Sequence, residues 1–315
     1  MKDLEFEKPI IDLYTKIEQL KQLSEESDIN LSTEISNIES RAEKLQKEIY
    51  SNLSPVQIVK LARHPDRPDS LSLFNLIFDE FVELHGDRCF RDDPAIIGGL
   101  AMLKKQGFIA IGHQKGHETK ENIYRNFGMP NPEGYRKALR LMEMAEKFNL
   151  PIITFIDTPG AFPGIEAEER GQAEAIARNL REMMALTVPI ITVVIGEGGS
   201  GGALGIGIAN KVYMLEYSFY SVISPEGCAS ILFHDALKAN LAADNMKITA
   251  QDILKLGIAD DIIKEPIGGS HKNWEETAAN IKKVILKDIA YYSGKNKDKI
   301  CEERYKKYRA IGTFV

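Results

Sequence analysis

The residues best placed to do chemistry in this chain are glycines. In Gly196-Glu197-Gly198-Gly199-Ser200-Gly201-Gly202, five of seven residues lack a side chain, which leaves backbone N–H groups uncovered. The run follows Ile190 to Ile195, an apolar, β-branched stretch that reads as a buried strand, and a helix is expected from Ala203. Free amides at a helix start bind an anion or an oxyanion that forms during reaction. Such a hole polarises a carbonyl without any ionisable group, as enolate chemistry on a thioester or decarboxylation of a carboxylated urea requires. Tight packing alone also uses glycines at such turns, but five of them, with a second glycine turn in register, favour chemistry.

That second turn is Thr158-Pro159-Gly160-Ala161. It ends Leu150-Pro151-Ile152-Ile153-Thr154-Phe155-Ile156-Asp157, which is echoed 38 residues later by Val188-Pro189-Ile190-Ile191-Thr192-Val193-Val194-Ile195. A repeated helix, strand and turn predicts stacked units whose loops gather on one edge, so both turns should face one site. Three other uses of these residues weaken on inspection. Gly196-x-Gly198-x-x-Gly201 with Glu216 fits a dinucleotide-binding fingerprint, yet only nine residues separate Gly201 from the next strand at Lys211, and Gly205 and Gly207 interrupt them. Asp157-Thr158-Pro159-Gly160 resembles a GTPase turn, but no Gly-x-x-x-x-Gly-Lys-Ser/Thr loop accompanies it. Ser200 as a hydrolase nucleophile needs a histidine partner, and the later His234 and His271 have no distinctive context. Glu197 reads as an acid favouring a helix N-terminus.

The elements that must position these turns are legible in outline. Residues 1–55 carry apolar residues at helical spacing (Ile10, Leu13, Tyr14, Ile17, Leu20, then Ile35, Ile38, Leu45, Ile49), predicting two helices around a turn near Ser27 to Asn30 and a packing face. Ser54-Pro55 caps a further short helix, and Arg63-His64-Pro65-Asp66-Arg67-Pro68 is a rigid connector, with a soft boundary between about residues 50 and 70. The main domain, 56–293, begins with a helix over Ser72 to Leu84. A hairpin of Ile96 to Leu103 and Phe108 to His113 follows, turning at Lys105-Gln106-Gly107. The polar stretch Gln114 to Asn131, with Lys115, His117, Lys120 and Arg125, is long enough to be functional or mobile. Pro132 opens a helix to Phe148, Glu166 to Leu186 forms one long amphipathic helix, and short strands are expected at Lys211 to Leu215 and Ser221 to Ser224 before a Ser-Pro-Glu-Gly turn. The charged tail, 294–315, is expected to be a solvated helix or frayed end.

Composition sets the bounds. The chain has 315 residues, 43% hydrophobic, enough for a substantial core. A net charge of -6 argues against bulk attraction to nucleic acid or an anionic membrane. Apolar runs are only strand-length and the N-terminus is too charged for a signal peptide, so a cytoplasmic protein is expected. Cys89, Cys228 and Cys301 are odd in number and dispersed, which disfavours a disulfide framework or zinc site.

Six blocks in order carry a family resemblance: Gly112-His113-Gln114-Lys115-Gly116, Arg125-Asn126-Phe127-Gly128-Met129-Pro130, Pro132-Glu133-Gly134-Tyr135-Arg136-Lys137-Ala138, Phe155 to Ala161, Gly196 to Ala203 and Ser224-Pro225-Glu226-Gly227-Cys228-Ala229. Together, from about residue 5 to 290, they resemble the carboxyltransferase alpha subunits of multi-subunit acetyl-CoA carboxylase. The resemblance implies an α/β, crotonase-like fold of stacked ββα units with an N-terminal helical extension. It implies transfer of a carboxyl group from carboxybiotin, on a separate biotin carboxyl carrier protein, to acetyl-CoA, giving malonyl-CoA for fatty acid synthesis. It further implies a beta subunit of the same fold, in an α2β2 assembly that works with a biotin carboxylase. The zinc belongs to that beta subunit and ATP to the wider complex, with no metal on this chain. Carried over, the amides of Gly201 and Gly202 hold the ureido carbonyl as an oxyanion hole, Gly160 and Ala161 lie opposite on the carboxybiotin side, and Gly198 and Gly199 shape the turn. The biotin left after CO2 departs takes the acetyl proton, so no side-chain base is needed. A non-catalytic crotonase-like scaffold and an NAD-dependent dehydrogenase are the alternative readings.

Overall fold

The computed structural model describes residues 4–27 and 30–312. Two helices open it, α1 (Lys8–Ser27) and α2 (Ser32–Ser51), as the apolar spacing predicts; the turn expected near Ser27 to Asn30 falls in part on residues 28 and 29, outside the described residues. Their apolar faces are used for packing: Ile10 and Tyr50 cluster with Leu61 and Tyr217, and the Tyr50 hydroxyl donates to Glu7 at 2.5 Å. Helix α3 (Pro55–Ala62) starts where expected, with Ser54 Oγ accepting from Gln57 N while Gln57 Oε1 accepts from Ser54 N, a reciprocal cap. The helix expected over Ser72 to Leu84 is instead α4 (Ser70–Ile77) followed by an edge strand, β1 (Glu80–Glu83). Four residues are too few for a period of two to stand out beside the helical spacing of Leu73, Phe74 and Ile77.

Next come β2 (Ile96–Leu103) and β3 (Gln106–His113), joined by Lys104 and Lys105 at φ 49° and 66°. That is a two-residue hairpin turn with both residues left-handed, so Gly107 lies in β3, opposite Met102. The stretch Gln114 to Asn131 is not structureless: it contains α5 (Thr119–Tyr124) and a short 3-10 turn, Asn126–Gly128. Helix α6 (Pro132–Phe148) ends on Asn149 at φ 54°. After β4 (Ile152–Thr158), the single long helix expected over Glu166 to Leu186 is broken at Gly171, φ 83°, into α7 (Ile165–Glu169) and α8 (Gln172–Ala185). Then follow β5 (Ile190–Gly199), α9 (Ser200–Leu204), β6 (Lys211–Leu215), β7 (Phe219–Ser221), α10 (Pro225–Phe233), α11 (Ala239–Met246), α12 (Ala250–Lys255), β8 (Asp261–Ile263), α13 (Trp274–Tyr292) and α14 (Lys297–Arg309). The strand expected at Ser221 to Ser224 lies earlier because Ser224 caps α10, its Oγ accepting from Gly227 N at 3.1 Å.

The strands form one mixed sheet in the order β1-β2-β3-β4-β5-β6-β8, with β7 beside β5. The first three are antiparallel and the remaining pairs parallel. The sequence echo is a spatial one: Ile152 pairs with Ile190, and each residue to Ile156 keeps the same offset, with Thr154 Oγ1 and Thr192 Oγ1 2.6 Å apart. Alternate residues feed two cores. Ile152, Ile156, Ile190 and Val194 meet Leu141 and Met142 of α6 and Met183 of α8, while Ile153, Phe155, Ile191 and Val193 meet Phe74 of α4 and Ile281 and Ile285 of α13. Burial on both faces explains why Ile152 to Ile156 and Ile190 to Val194 read as apolar runs, each with one threonine whose hydroxyl is satisfied by the other.

The charged C-terminal helix is docked rather than solvated. Arg304 of α14 is fully buried and donates to the carbonyls of Met183 (2.6 Å), Leu186 (2.7 Å) and Val188 (2.8 Å) and to Asn210 Oδ1 (2.7 Å). It satisfies carbonyls that the C-terminal end of α8 and the chain beyond it leave without helical partners. Burial pulls the guanidinium down to about 10.

Candidate functional site

The parallel ladder of β4 and β5 changes register at its end, from Ile156 opposite Val194 to Thr158 opposite Gly198. The glycine run is therefore not a loop. Gly196, Gly198 and Gly199 belong to β5, and Gly201 and Gly202 belong to α9, which begins at Ser200 rather than at Ala203. Ser200 makes the strand-to-helix corner at φ 51°, a strained conformation for a residue with a side chain. It sits at an apex as a nucleophile would, but no histidine bonds its hydroxyl among the described residues.

The glycines have different reasons. A Cβ on Gly196 would lie 2.6 Å from Asp157 Oδ1, on Gly198 2.7 Å from the Tyr220 ring, on Gly199 2.2 Å from the Pro159 carbonyl, and on Gly202 2.5 Å from Ala161 N and Gly160 C. Gly199 and Gly202 thus let backbones approach, while Gly196 and Gly198 make room for the Asp157 carboxylate and the Tyr220 ring. Gly201 differs: the nearest atom to a Cβ there is Ile176 Cδ1 at 3.7 Å, ordinary contact. Packing does not demand glycine at that position.

Gly160, Ala161, Gly201 and Gly202 come together in the wall of one cleft of about 620 Å³, with Phe162, Ser200, Ile176, Val222 and Ile223. Both turns face one site, as the repeat predicts. Gly198 and Gly199 lie in β5 against Tyr220 and Pro159 and do not line the cleft. As first-turn residues, Gly201 and Gly202 have N–H groups with no acceptor inside their own helix. Gln172 holds the opposite wall, its Nε2 donating to the carbonyls of Pro130 and Phe162 at 2.9 Å each. The ionisable side chains in the lining are Arg63, committed to two carboxylates, and the exposed Glu168.

A family profile described as "Acetyl co-enzyme A carboxylase carboxyltransferase-like" matches residues 3–312. The chain belongs to this carboxyltransferase family. It is 55% identical over 312 residues to the acetyl-coenzyme A carboxylase carboxyl transferase subunit alpha of Geobacter metallireducens, covering 99% of this chain and 98% of that protein. Identity is also 55% over 312 residues to the protein of the same name from Staphylococcus aureus, covering 99% of each. In fold it is similar to transcarboxylase 12S (TM-score 0.59, 20% identity), over 73% of this chain but only 42% of that longer one. It is likewise similar to a chain of a Pseudomonas malonate decarboxylase hetero-tetramer solved with coenzyme A (TM-score 0.60, 14% identity, 75% and 91% covered). The fold is crotonase-like, and as a member of the carboxyltransferase family the chain is a carboxyl-transferring enzyme.

In this family member, sequence reasoning missed an ionic cluster at the ends of the same two strands. Lys115 Nζ lies 2.7 Å from Asp157 Oδ1 and 3.4 Å from Glu197 Oε2, and Arg63 bridges Glu197 at 2.6 Å and Glu226 of α10 at 2.8 Å. Asp157 Oδ1 also accepts from Glu197 N at 2.9 Å. Glu197 is therefore a buried ion-pair member in β5, not a helix N-terminal acid. Burial opposes its charge, but Lys115 and Arg63 prevail and hold its carboxyl below the ordinary range. Burial likewise opposes the Lys115 charge, and Asp157 and Glu197 outweigh it. One signal was available: Asp157 and Glu197 each close an otherwise apolar strand, and a buried carboxylate needs a partner. The connector read before α4 is buried too, since Arg67 forms a two-bond pair with Glu265 (2.6 and 2.8 Å) and donates to the Ile195 carbonyl at 2.6 Å.

Of the other residues singled out, His117 sits between the Pro65 carbonyl (2.9 Å) and Asp69 (3.1 Å), stacked on Trp274. Arg125 donates to the Pro94 carbonyl at 2.9 Å and to Glu121 at 3.1 Å. Both pin the long polar stretch to the body, and neither lines the cleft. His113 is fully buried in β3, and burial depresses its ring to about 3, so it is neutral. Among the described residues no cluster of His, Cys, Asp or Glu could hold a metal ion, and no helix is long and apolar enough to cross a membrane.

Proposed function

We propose that this chain supplies the carboxybiotin half of a carboxyltransferase centre whose acetyl-CoA half lies on a partner subunit. Family membership makes the reaction carboxyl transfer to acetyl-CoA, which yields malonyl-CoA for fatty acid synthesis. In the proposed site, the N–H groups of Gly201 and Gly202 donate to the ureido carbonyl, Gly160 and Ala161 close the facing wall, and Gly198 and Gly199 set the strand end behind them. When bound, carboxybiotin supplies the carboxyl group and, after its loss, the base for the acetyl proton. The residues fit that group: the walls offer amide donors, and Gly201 keeps a space that packing does not require it to keep. This room beside first-turn amides is the observation that carries the reading.

The rim supports a partner. Val222, which lines the cleft, is 81% exposed, and Ile231 and Leu232 of the adjoining α10 are 66% and 65% exposed, an apolar margin suited to another protein surface. The partner is a zinc-bearing beta subunit in an α2β2 assembly. A biotin carboxyl carrier protein visits the cleft, and ATP is consumed on the biotin carboxylase, all in the cytoplasm.

The test is conversion of malonyl-CoA and biocytin to acetyl-CoA by the purified chain, alone and with the beta subunit. Turnover only in the presence of beta is expected. Full-rate turnover by the chain alone would overturn the divided site.

A further inference from the structure

The cluster at the strand ends joins segments far apart in sequence. Lys115 comes from the stretch after β3, Asp157 from the end of β4, Glu197 from the end of β5 and Arg63 from the residues after α3. Asp157 immediately precedes Thr158-Pro159-Gly160-Ala161, and Glu197 immediately precedes Gly198 to Gly202, so one ammonium touches the residue that launches each wall of the cleft. The contact falls where the β4–β5 register shifts, and there Asp157 Oδ1 also takes the Glu197 N–H. Two glycines make room for the arrangement: a Cβ on Gly196 would meet Asp157 Oδ1 at 2.6 Å, and one on Gly128 would meet Lys115 Cγ at 2.6 Å. Arg63 closes the cluster and also lines the cleft.

We propose that Lys115 is a positioning residue for carboxyl transfer: its bridge between Asp157 and Glu197 fixes the height of one glycine turn against the other, and so the placement of the Gly201 and Gly202 amides. The inference rests on the site proposed above. Lys115 does not line the cleft that holds Gly201 and Gly202. Its role is electrostatic as well as steric. Lys115 is the ion-pair partner of Asp157 and shares Glu197 with Arg63, which also holds Glu226; removal of the ammonium takes the ion pair from Asp157, and the Asp157 and Glu197 carboxylates then repel across the register shift. The turns are already in backbone contact, Gly202 on Ala161 and Gly199 on Pro159, so a shift of either strand end moves both walls.

The test uses the complex with the beta subunit and the malonyl-CoA and biocytin assay, with thermal melting and gel filtration on each variant. Lys115→Met keeps the stem and deletes the charge; kcat is expected to fall on the order of 10²-fold while KM for malonyl-CoA, held by the partner, stays within about twofold. Lys115→Arg keeps the charge and should retain most of kcat. Lys115→Met combined with Asp157→Asn restores charge balance while leaving an oxygen for the Glu197 N–H, and should recover about tenfold of the loss. Normal kcat in Lys115→Met overturns the proposal. So does a loss that neither Lys115→Arg nor the double variant relieves, because a merely structural role would track melting temperature instead. An inactive wild-type complex would count against the site itself, as would undisturbed turnover in Gly201 variants, whereas the Lys115 series compared with an active wild type tests positioning alone.

Discussion

The paired ends of β4 and β5 present two environments. On the cleft side stand Gly160, Ala161, Gly201 and Gly202, where the available donors are backbone amides. Beside them, across Arg63, Lys115, Asp157 and Glu197 are packed as alternating charges with separations of 2.6 to 3.4 Å. The difference teaches a division of labour. Amides polarise a carbonyl without titrating, so the reacting side needs no ionisable group. The price is that amides have no freedom of their own and must be held by something else, here close glycine packing and a buried ion network.

The strongest way to break this comparison is Gly202→Val. Its Cβ would lie 2.5 Å from Ala161 N and Gly160 C, both backbone atoms that cannot rotate away, so the two walls must separate. We expect kcat to fall more than about 10²-fold, on the order of 3 kcal/mol of transition-state stabilisation, with assembly with beta preserved in gel filtration. Near-normal turnover would mean that the contact between the turns is irrelevant to catalysis. Gly201→Ala is milder and sharper. Ile176 at 3.7 Å accommodates the new methyl, so the protein should melt as the wild type does, and any loss, expected to be roughly tenfold, reports on the space in front of the amides. An unaffected rate would place the ligand elsewhere in the cleft.

The cleft side was readable in the sequence, and the ionic side was not. Ile152 to Ile156 and Ile190 to Val194 declare themselves because strands buried on both faces must be continuously apolar, and their common offset is preserved as direct pairing. The cap at Ser54 and the hairpin at β2 and β3 are local, and local signals survive. The cluster depends on contacts such as Arg63 with Glu197, 134 positions apart, which no spacing rule encodes. The boundary at Gly171 and the edge strand Glu80–Glu83 were missed for a different reason: each is a short departure inside a segment whose apolar periodicity continues. The α14 helix misled by composition. Its charged residues suggested solvent, but Arg304 is spent on four oxygens around the end of α8.

The smallest expected effect separates holding from reacting. Asp69 holds the His117 ring charged, with the Pro65 carbonyl helping and burial opposing, and raises it to about 9 against an ordinary 6.5. A folded value above the unfolded one means that His117 contributes its full stabilisation below about pH 6.5 and loses it as pH rises through about 9. The side chain is 31% exposed, so screening reduces the contribution to roughly 1 kcal/mol. Wild-type chain should therefore lose that much more unfolding free energy between pH 6.5 and 9.5 than His117→Asn does, read by urea titration at each pH. His117 bonds Asp69 and the Pro65 carbonyl and lies outside the Lys115 network, so the two proteins should show the same kcat at pH 7 with the beta subunit present. A kcat that fell in His117→Asn would show that placement of the polar stretch carrying Lys115 depends on His117 as well, and holding could not then be assigned to the Lys115 network alone.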